Sequence, residues 1–168
     1  LGLDAVQHPL LGAVVALPGS DSVVLTGRVS LATHSWLADH AVRGTVLMPG
    51  TGFVELVVRA ADEVGCGVVD ELVIEAPLRL PVAGGVQLSV PVGEADEGGR
   101  RQVTVHSRTD AADTWTRHVT GTVSAASAPA TTPDLAAWPP GQAQPVDLSG
   151  FYDELAAVGY EYGPAFQG

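Results

Sequence analysis

Two hydrophobic periods divide this chain. Between Thr51 and Val64, Phe53, Leu56, Val57, Ala60 and Val64 fall at helical spacing, the clearest helix signal in the sequence. Val54, Val58 and Ala61 widen the apolar surface, leaving a narrow polar strip on which Glu55 and Arg59 are expected to pair at i,i+4. A helix apolar over most of its girth has to be wrapped by other elements, and Gly65-Cys66-Gly67 is expected to end it. Elsewhere the period is two. Ala13 to Leu17 reads as a short apolar strand. From Ser22 to Leu31, Val23, Leu25, Val29 and Leu31 take one face while Ser22, Thr26, Arg28 and Ser30 take the other. Further alternating runs cover Leu72 to Leu80, Val86 to Val92, Val103 with Val105, and Trp115 to Val123, with Asp110 to Asp113 as a hairpin turn. Pro77 and Pro91 predict edges or bulges, because proline donates nothing to a ladder. His106 and His118 fall on the polar side of their strands and are expected at the surface or rim.

Between these runs, His34 to His40 predicts a turn or short helix in which Trp36 anchors the core. Asp39 adjoins His40. Neighbours in extended backbone point to opposite faces, so Asp39 is not expected to orient that imidazole. Residues 1–125 form one unit in this reading, and 126–148, rich in Ala, Pro, Thr and Gln, form a linker. In the closing segment, 149–168, Asp147-Leu148-Ser149 offers N-caps for a short helix with Phe151, Leu155 and Val158 on one face. One long apolar helix followed by antiparallel strands fits an α+β fold, a curved sheet around a central helix.

Composition changes that picture little but narrows the function. The 168 residues suffice for one core, with 46% hydrophobic and 16% charged residues. Eight basic against 19 acidic residues give −11, which argues against nucleic acid or an anionic membrane as partner. An acidic partner would need a local basic patch, for which Arg100, Arg101, Arg108 and Arg117 are the pool. Cys66 is the single cysteine, so neither a disulfide framework nor a thiolate metal site is expected. No window has the length of a membrane span. The chain starts at Leu1 and reads as a piece of a longer cytoplasmic polypeptide.

The candidate chemistry lies in His40 to Gly52. An imidazole titrates near working pH and is a natural general acid or base. Gly44, four residues on, lets backbone approach a ligand and offers an N–H for a carbonyl or oxyanion. Pro49 and Gly50 then lead into the helix, whose first turn adds unpaired N–H groups and a positive dipole end. The sequence has no Gly-x-Gly-x-x-Gly, phosphate loop, His-Glu-x-x-His or Gly-x-Ser-x-Gly. A histidine-centred acid–base site without metal or cofactor is what the residues leave.

His40, Gly44 and Pro49 reproduce the His-x3-Gly-x4-Pro spacing of dehydratase domains from bacterial modular type I polyketide synthases. His8-Pro9-Leu10-Leu11-Gly12 resembles a second motif of that family, and Gly159-Tyr160-Glu161-Tyr162-Gly163-Pro164-Ala165-Phe166-Gln167-Gly168 a third. The resemblance implies the N-terminal half of a double hot-dog fold and dehydration of a 3-hydroxyacyl thioester held on the phosphopantetheine of acyl carrier protein. It implies His40 as base, Gly44 at the thioester oxygen, and Pro49, Gly50, Tyr160, Tyr162, Gly163, Pro164 and His8 around the substrate pocket. The proton donor in this family is an aspartate of the second half. Asp4, Asp21, Asp62 and Asp70 offer no substitute, and a large apolar sheet face is expected to await that half. Implied partners are the carrier protein, the other synthase domains and a second synthase copy. Rival readings are double-bond migration or pyran-forming cyclisation on the same scaffold, a hot-dog thioesterase, and a non-catalytic structural domain.

Overall fold

The computed structural model describes residues 3–110, 112–125 and 137–167. Residues 126–136 of the expected linker lie outside them. In chain order the elements are β1 (Asp4–Ala5), β2 (Ala13–Ala16), β3 (Val23–Val29), a 3-10 helix (Ser35–Asp39), β4 (His40–Val42), β5 (Thr45–Val46) and α1 (Gly50–Glu63). There follow β6 (Val68–Ile74), β7 (Val86–Ala95), β8 (Arg101–Thr109), β9 (Thr116–Ser124), α2 (Phe151–Ala157), β10 (Tyr160–Tyr162) and a second 3-10 turn (Pro164–Phe166).

Seven strands form one antiparallel sheet in the order β1-β2-β3-β7-β8-β9-β6, and α1 packs against β6, β7, β8 and β9. The expected helical stripe is the buried one: Phe53 is 1% exposed, and Leu56, Val57 and Ala60 are fully buried. They meet the inward residues of strict alternations, such as Val86, Leu88, Val90 and Val92 on β7 and Val103 and Val105 on β8. Each such side chain stabilises the fold by roughly 1.5–3 kcal/mol when taken out of water.

Several expectations need correction. The run Leu72 to Leu80 is not one strand. β6 begins at Val68, ends at Ile74 and forms a sheet edge; Glu75 to Leu80 then leaves the sheet, Leu78 and Leu80 turning back into the core. Pro91 sits in an interior strand, where β7–β8 pairing passes from Ser89↔His106 to Val92↔Val103, so the missing N–H falls in a gap of the ladder. Trp36 is 42% exposed, and its neighbour Leu37 is the buried anchor. Arg59 pairs with Glu63 at 2.6 Å, while Glu55 reaches His8. His118 is buried, because a bulge between Val105↔Val119 and His106↔Arg117 turns it inward beside Val119. α2 starts after Gly150 in a left-handed conformation, not at Asp147 or Ser149, and its expected apolar face stays largely exposed at Phe151 and Val158.

The sheet's outer face is also not apolar. On β8 it carries Gln102, Thr104, His106 and Arg108. Exposed apolar side chains gather instead on α1 (Val54, Val58) and on the edge strand β6 (Val68, Val73, Ile74).

Candidate functional site

A second sheet, in the order β10-β4-β5, carries the histidine. β4 and β5 are joined by the two-residue turn Arg43-Gly44, with φ of 49° and 72°. A tight hairpin of this kind needs positive φ at both positions, which Gly44 adopts without strain. β10 closes the other side, pairing Tyr162 with His40 and Tyr160 with Val42.

His40 is half-buried at the start of β4. Its Nδ1 lies 3.0 Å from the carbonyl oxygen of Leu47. A carbonyl only accepts, so Nδ1 carries a proton, and in the neutral ring the lone pair is the one on Nε2. Tyr162 stacks on the ring at 5.3 Å and Phe166 tilts against it at 5.1 Å. Asp39 holds both aromatics there: its main-chain oxygen accepts the N–H of Gly163 at 2.8 Å, and its carboxylate that of Ala165 at 2.9 Å. The expectation that Asp39 does not orient the imidazole holds; it clamps the C-terminal motif. Gly163 has to be glycine because a Cβ there would lie 2.8 Å from that of Asp39.

His40, Leu47, Met48, Gly50, Phe53 and the segment Ile74 to Pro77 line one pocket of about 260 Å³. Gly50 is the first residue of α1, and no side chain caps that end. The helix therefore presents its positive end to the pocket that holds the imidazole. A second pocket of about 310 Å³ lies on the other side of this helix start, between Pro9, Leu10, Trp36, Pro49, Thr51 and Phe166.

Other site candidates are placed differently. The N–H of Gly44 points at the Glu161 carboxylate, 3.2 and 3.3 Å from its oxygens, so it is engaged and does not face His40's pocket. His8 lines neither pocket. Its Nδ1 accepts the N–H of Leu10 at 3.1 Å and its Nε2 faces Glu55 at 3.3 Å, which ties the first loop to α1. Tyr160 is largely exposed, its ring 6.4 Å from that of Tyr162. Pro164 opens the turn that carries Phe166. Among the described residues no cluster suits a metal ion, and no helix is long and apolar enough to cross a membrane.

Sequence reasoning missed Glu75, a carboxylate on the wall of the His40 pocket. The Thr120 hydroxyl and then the Arg117 guanidinium hold its carboxyl below the usual carboxylate range, so it stays ionised and is a poor proton donor. Phe166 was in a recognised motif but not singled out. The main-chain acceptor at Leu47 has no sequence signal at all. Of the arginines expected to make a basic patch, Arg100, Arg101 and Arg117 are paired with Asp96, Asp21 and Glu75, while Arg108 lies 4.9 Å over Trp115.

An antiparallel sheet packed on one apolar helix, with a histidine beside the helix start, defines a hot-dog domain. The family described as polyketide synthase dehydratase domain matches residues 8–108, and the one described as polyketide synthase dehydratase N-terminal domain matches residues 130–168. This chain belongs to the polyketide synthase dehydratase domains. It is 58% identical over 172 residues to polyketide synthase GfsA of Streptomyces halstedii, covering 100% of this chain and 2% of that protein. It superimposes on the dehydratase domain from the terminal module of the rifamycin polyketide synthase with a TM-score of 0.92 and 57% identity. The bifunctional dehydratase-cyclase domain in ambruticin biosynthesis gives 0.87 and 52%. These matches cover 99% and 98% of this chain but only 61% of either solved domain.

Proposed function

We propose that this chain supplies the basic half of a site that dehydrates a 3-hydroxyacyl thioester, carried on the phosphopantetheine arm of an acyl carrier protein, to the 2,3-enoyl thioester. The observation that carries the reading is the bond from His40 Nδ1–H to Leu47, which makes Nε2 the basic nitrogen of the neutral ring in a side chain that lines the pocket. Nε2 takes the α proton. The electron pair left on the α carbon is delocalised onto the thioester oxygen, then forms the alkene as the β C–O bond breaks, and the hydroxyl departs as water after receiving a proton. The uncapped start of α1 at Gly50 meets the charge on the thioester oxygen. That is the task the sequence motif alone assigns to Gly44.

The leaving hydroxyl needs an acid, and the ionised Glu75 is a poor one. We assign that role to an aspartate of a second hot-dog half. The exposed Val54, Val58, Val73 and Ile74 support a partner on the α1–β6 side. The carrier protein, the remaining domains of a cytoplasmic synthase and a second synthase copy are the other partners in this reading, with no cofactor. In the full-length synthase, His40→Ala is expected to slow enoyl formation by roughly 10²- to 10⁴-fold, read by mass spectrometry of carrier-bound product, with unfolding unchanged. Wild-type turnover by that variant overturns the assignment.

A further inference from the structure

Glu75, Ala76 and Pro77 line the His40 pocket after the chain has left β6, so no ladder of the main sheet holds them. Thr120 and Arg117 hold the Glu75 carboxylate, and His118 holds the main chain. The carbonyl of His118 accepts the N–H of Glu75 at 2.7 Å and that of Ala76 at 3.4 Å, and His118 Nδ1–H returns a bond to the Ala76 carbonyl at 3.0 Å. With Nδ1 protonated, Nε2 is an acceptor, and the Ser107 hydroxyl donates to it at 2.8 Å. The ring is 3% exposed and stacks on Phe53 with centroids 6.0 Å apart and planes at 22°. Phe53 lines the same pocket. One residue thus meets two walls of the site: its main chain and its ring both bond the 75–76 segment, and the ring packs on Phe53.

A buried serine bonded to a histidine resembles a nucleophile with its base, but this pair is not one. Ser107 is 6% exposed, and the other ring nitrogen meets a carbonyl rather than a carboxylate, so nothing steadies an imidazolium. The elimination proposed above uses neither residue.

We propose that His118, its tautomer set by the Ala76 carbonyl and its ring held by Ser107, is a positioning residue that sets the spacing of Ala76 and Phe53 from His40 and so selects which 3-hydroxyacyl chains the site accepts. This rests on the dehydratase reading. Its physical basis is that removing the ring orphans the Ala76 carbonyl and takes away the packing on Phe53, so that Ala76 and Phe53 can shift while the main-chain bonds of the segment persist. A change of one methylene's width in an apolar pocket discriminates substrates by about 10- to 200-fold.

The test compares kcat/KM for a short and a long 3-hydroxyacyl carrier thioester in the full-length synthase. The double variant Ser107→Ala with His118→Phe keeps a ring against Phe53 and removes both polar links. It is expected to change the long-to-short ratio by about tenfold, mainly through KM. His118→Asn, which keeps a donor for Ala76, is expected to stay within about twofold of the wild-type ratio. Ser107→Ala alone should shift the ratio in the same direction as the double variant, and it decides the matter if the double variant does not fold. Val103→Ala, a core control, should lower folded enzyme without moving the ratio. An unchanged ratio in the double variant, or in Ser107→Ala where only that folds, overturns the positioning role. If the wild type dehydrates neither substrate, or His40→Ala retains activity, the dehydratase reading itself fails, and that is seen before any His118 variant is compared.

Discussion

The seven-stranded sheet with α1 and the small sheet that carries His40 are held together by different means. In the first, side chains such as Leu56, Val57, Val90, Val105 and Val119 are wholly buried, and stability comes from apolar packing. In the second, β4, β5 and β10 contribute two or three residues each, and the residues are largely half-buried or exposed. Order there depends on a few directed bonds: Asp39 to Gly163 and Ala165, Glu161 to Gly44, and the N–H of Arg43 to the carbonyl of Gly159 at 2.8 Å. The core and the placement of His40 thus rest on different foundations, which meet at the wall formed by Phe53 and residues 75–77 against His118. Away from that wall, a substitution in the first region should report on stability, and in the second on turnover.

The largest test is Phe53→Ala, in the most buried aromatic position. It is expected to destabilise the chain by about 3–5 kcal/mol in urea unfolding. A cost under about 1 kcal/mol would mean that α1 is not the centre of the packing. Asp39→Ala comes next. It frees the N–H of Ala165, lets Phe166 drift from His40 while Tyr162 stays paired in the strand, and should lower dehydration by roughly 10- to 100-fold. Unfolding of that variant should change by less than about 1 kcal/mol, so equal losses of stability and turnover would erase the distinction between the two regions. Gly44→Ala is a smaller probe of the hairpin itself. Its φ of 72° makes any side chain strained, and a loss of roughly 1 kcal/mol is expected by thermal unfolding.

The same division explains what the sequence made legible. Period and burial are linked directly, so the helix from Phe53 to Val64 and the alternation of Val86 to Val92 could be read from residue order alone. His40 was legible because its motif spacing encodes a hairpin and a helix start in one short stretch. Glu75 and His118 were not. Glu75 reaches the pocket only because the chain leaves the edge of the sheet after Ile74, and His118 turns inward only because a bulge breaks its alternation. Both depend on pairing with distant strands, which no local pattern carries. Trp36 misled for a related reason: size predicted an anchor, but the 3-10 turn points Leu37 inward.

The smallest effect concerns acid, and it belongs to the packed region. His118 and His106 are both pushed below the ordinary histidine value of 6.5, each chiefly by burial; for His106, Arg117 and His118 add to the depression and Glu75 opposes it. In the unfolded chain these rings take protons near pH 6.5, but in the folded chain only at lower pH. Between those points the unfolded state binds more protons, so stability is full above pH 6.5 and declines as pH falls toward the folded values. Glu75 acts in a lower window: its depressed pKa makes its contribution present above the ordinary value of 4.5 and lost as pH falls below it. A modest drop in melting temperature is therefore expected between about pH 7.5 and 5.5, before the carboxylates respond. His118→Asn should flatten that slope while leaving the steeper loss below about pH 4.5 intact, as measured by calorimetry across the range. If the slope survives both His118→Asn and His106→Asn, the acid response arises outside the packed sheet, and the assignment of stability to one region and chemistry to the other loses its titratable signature.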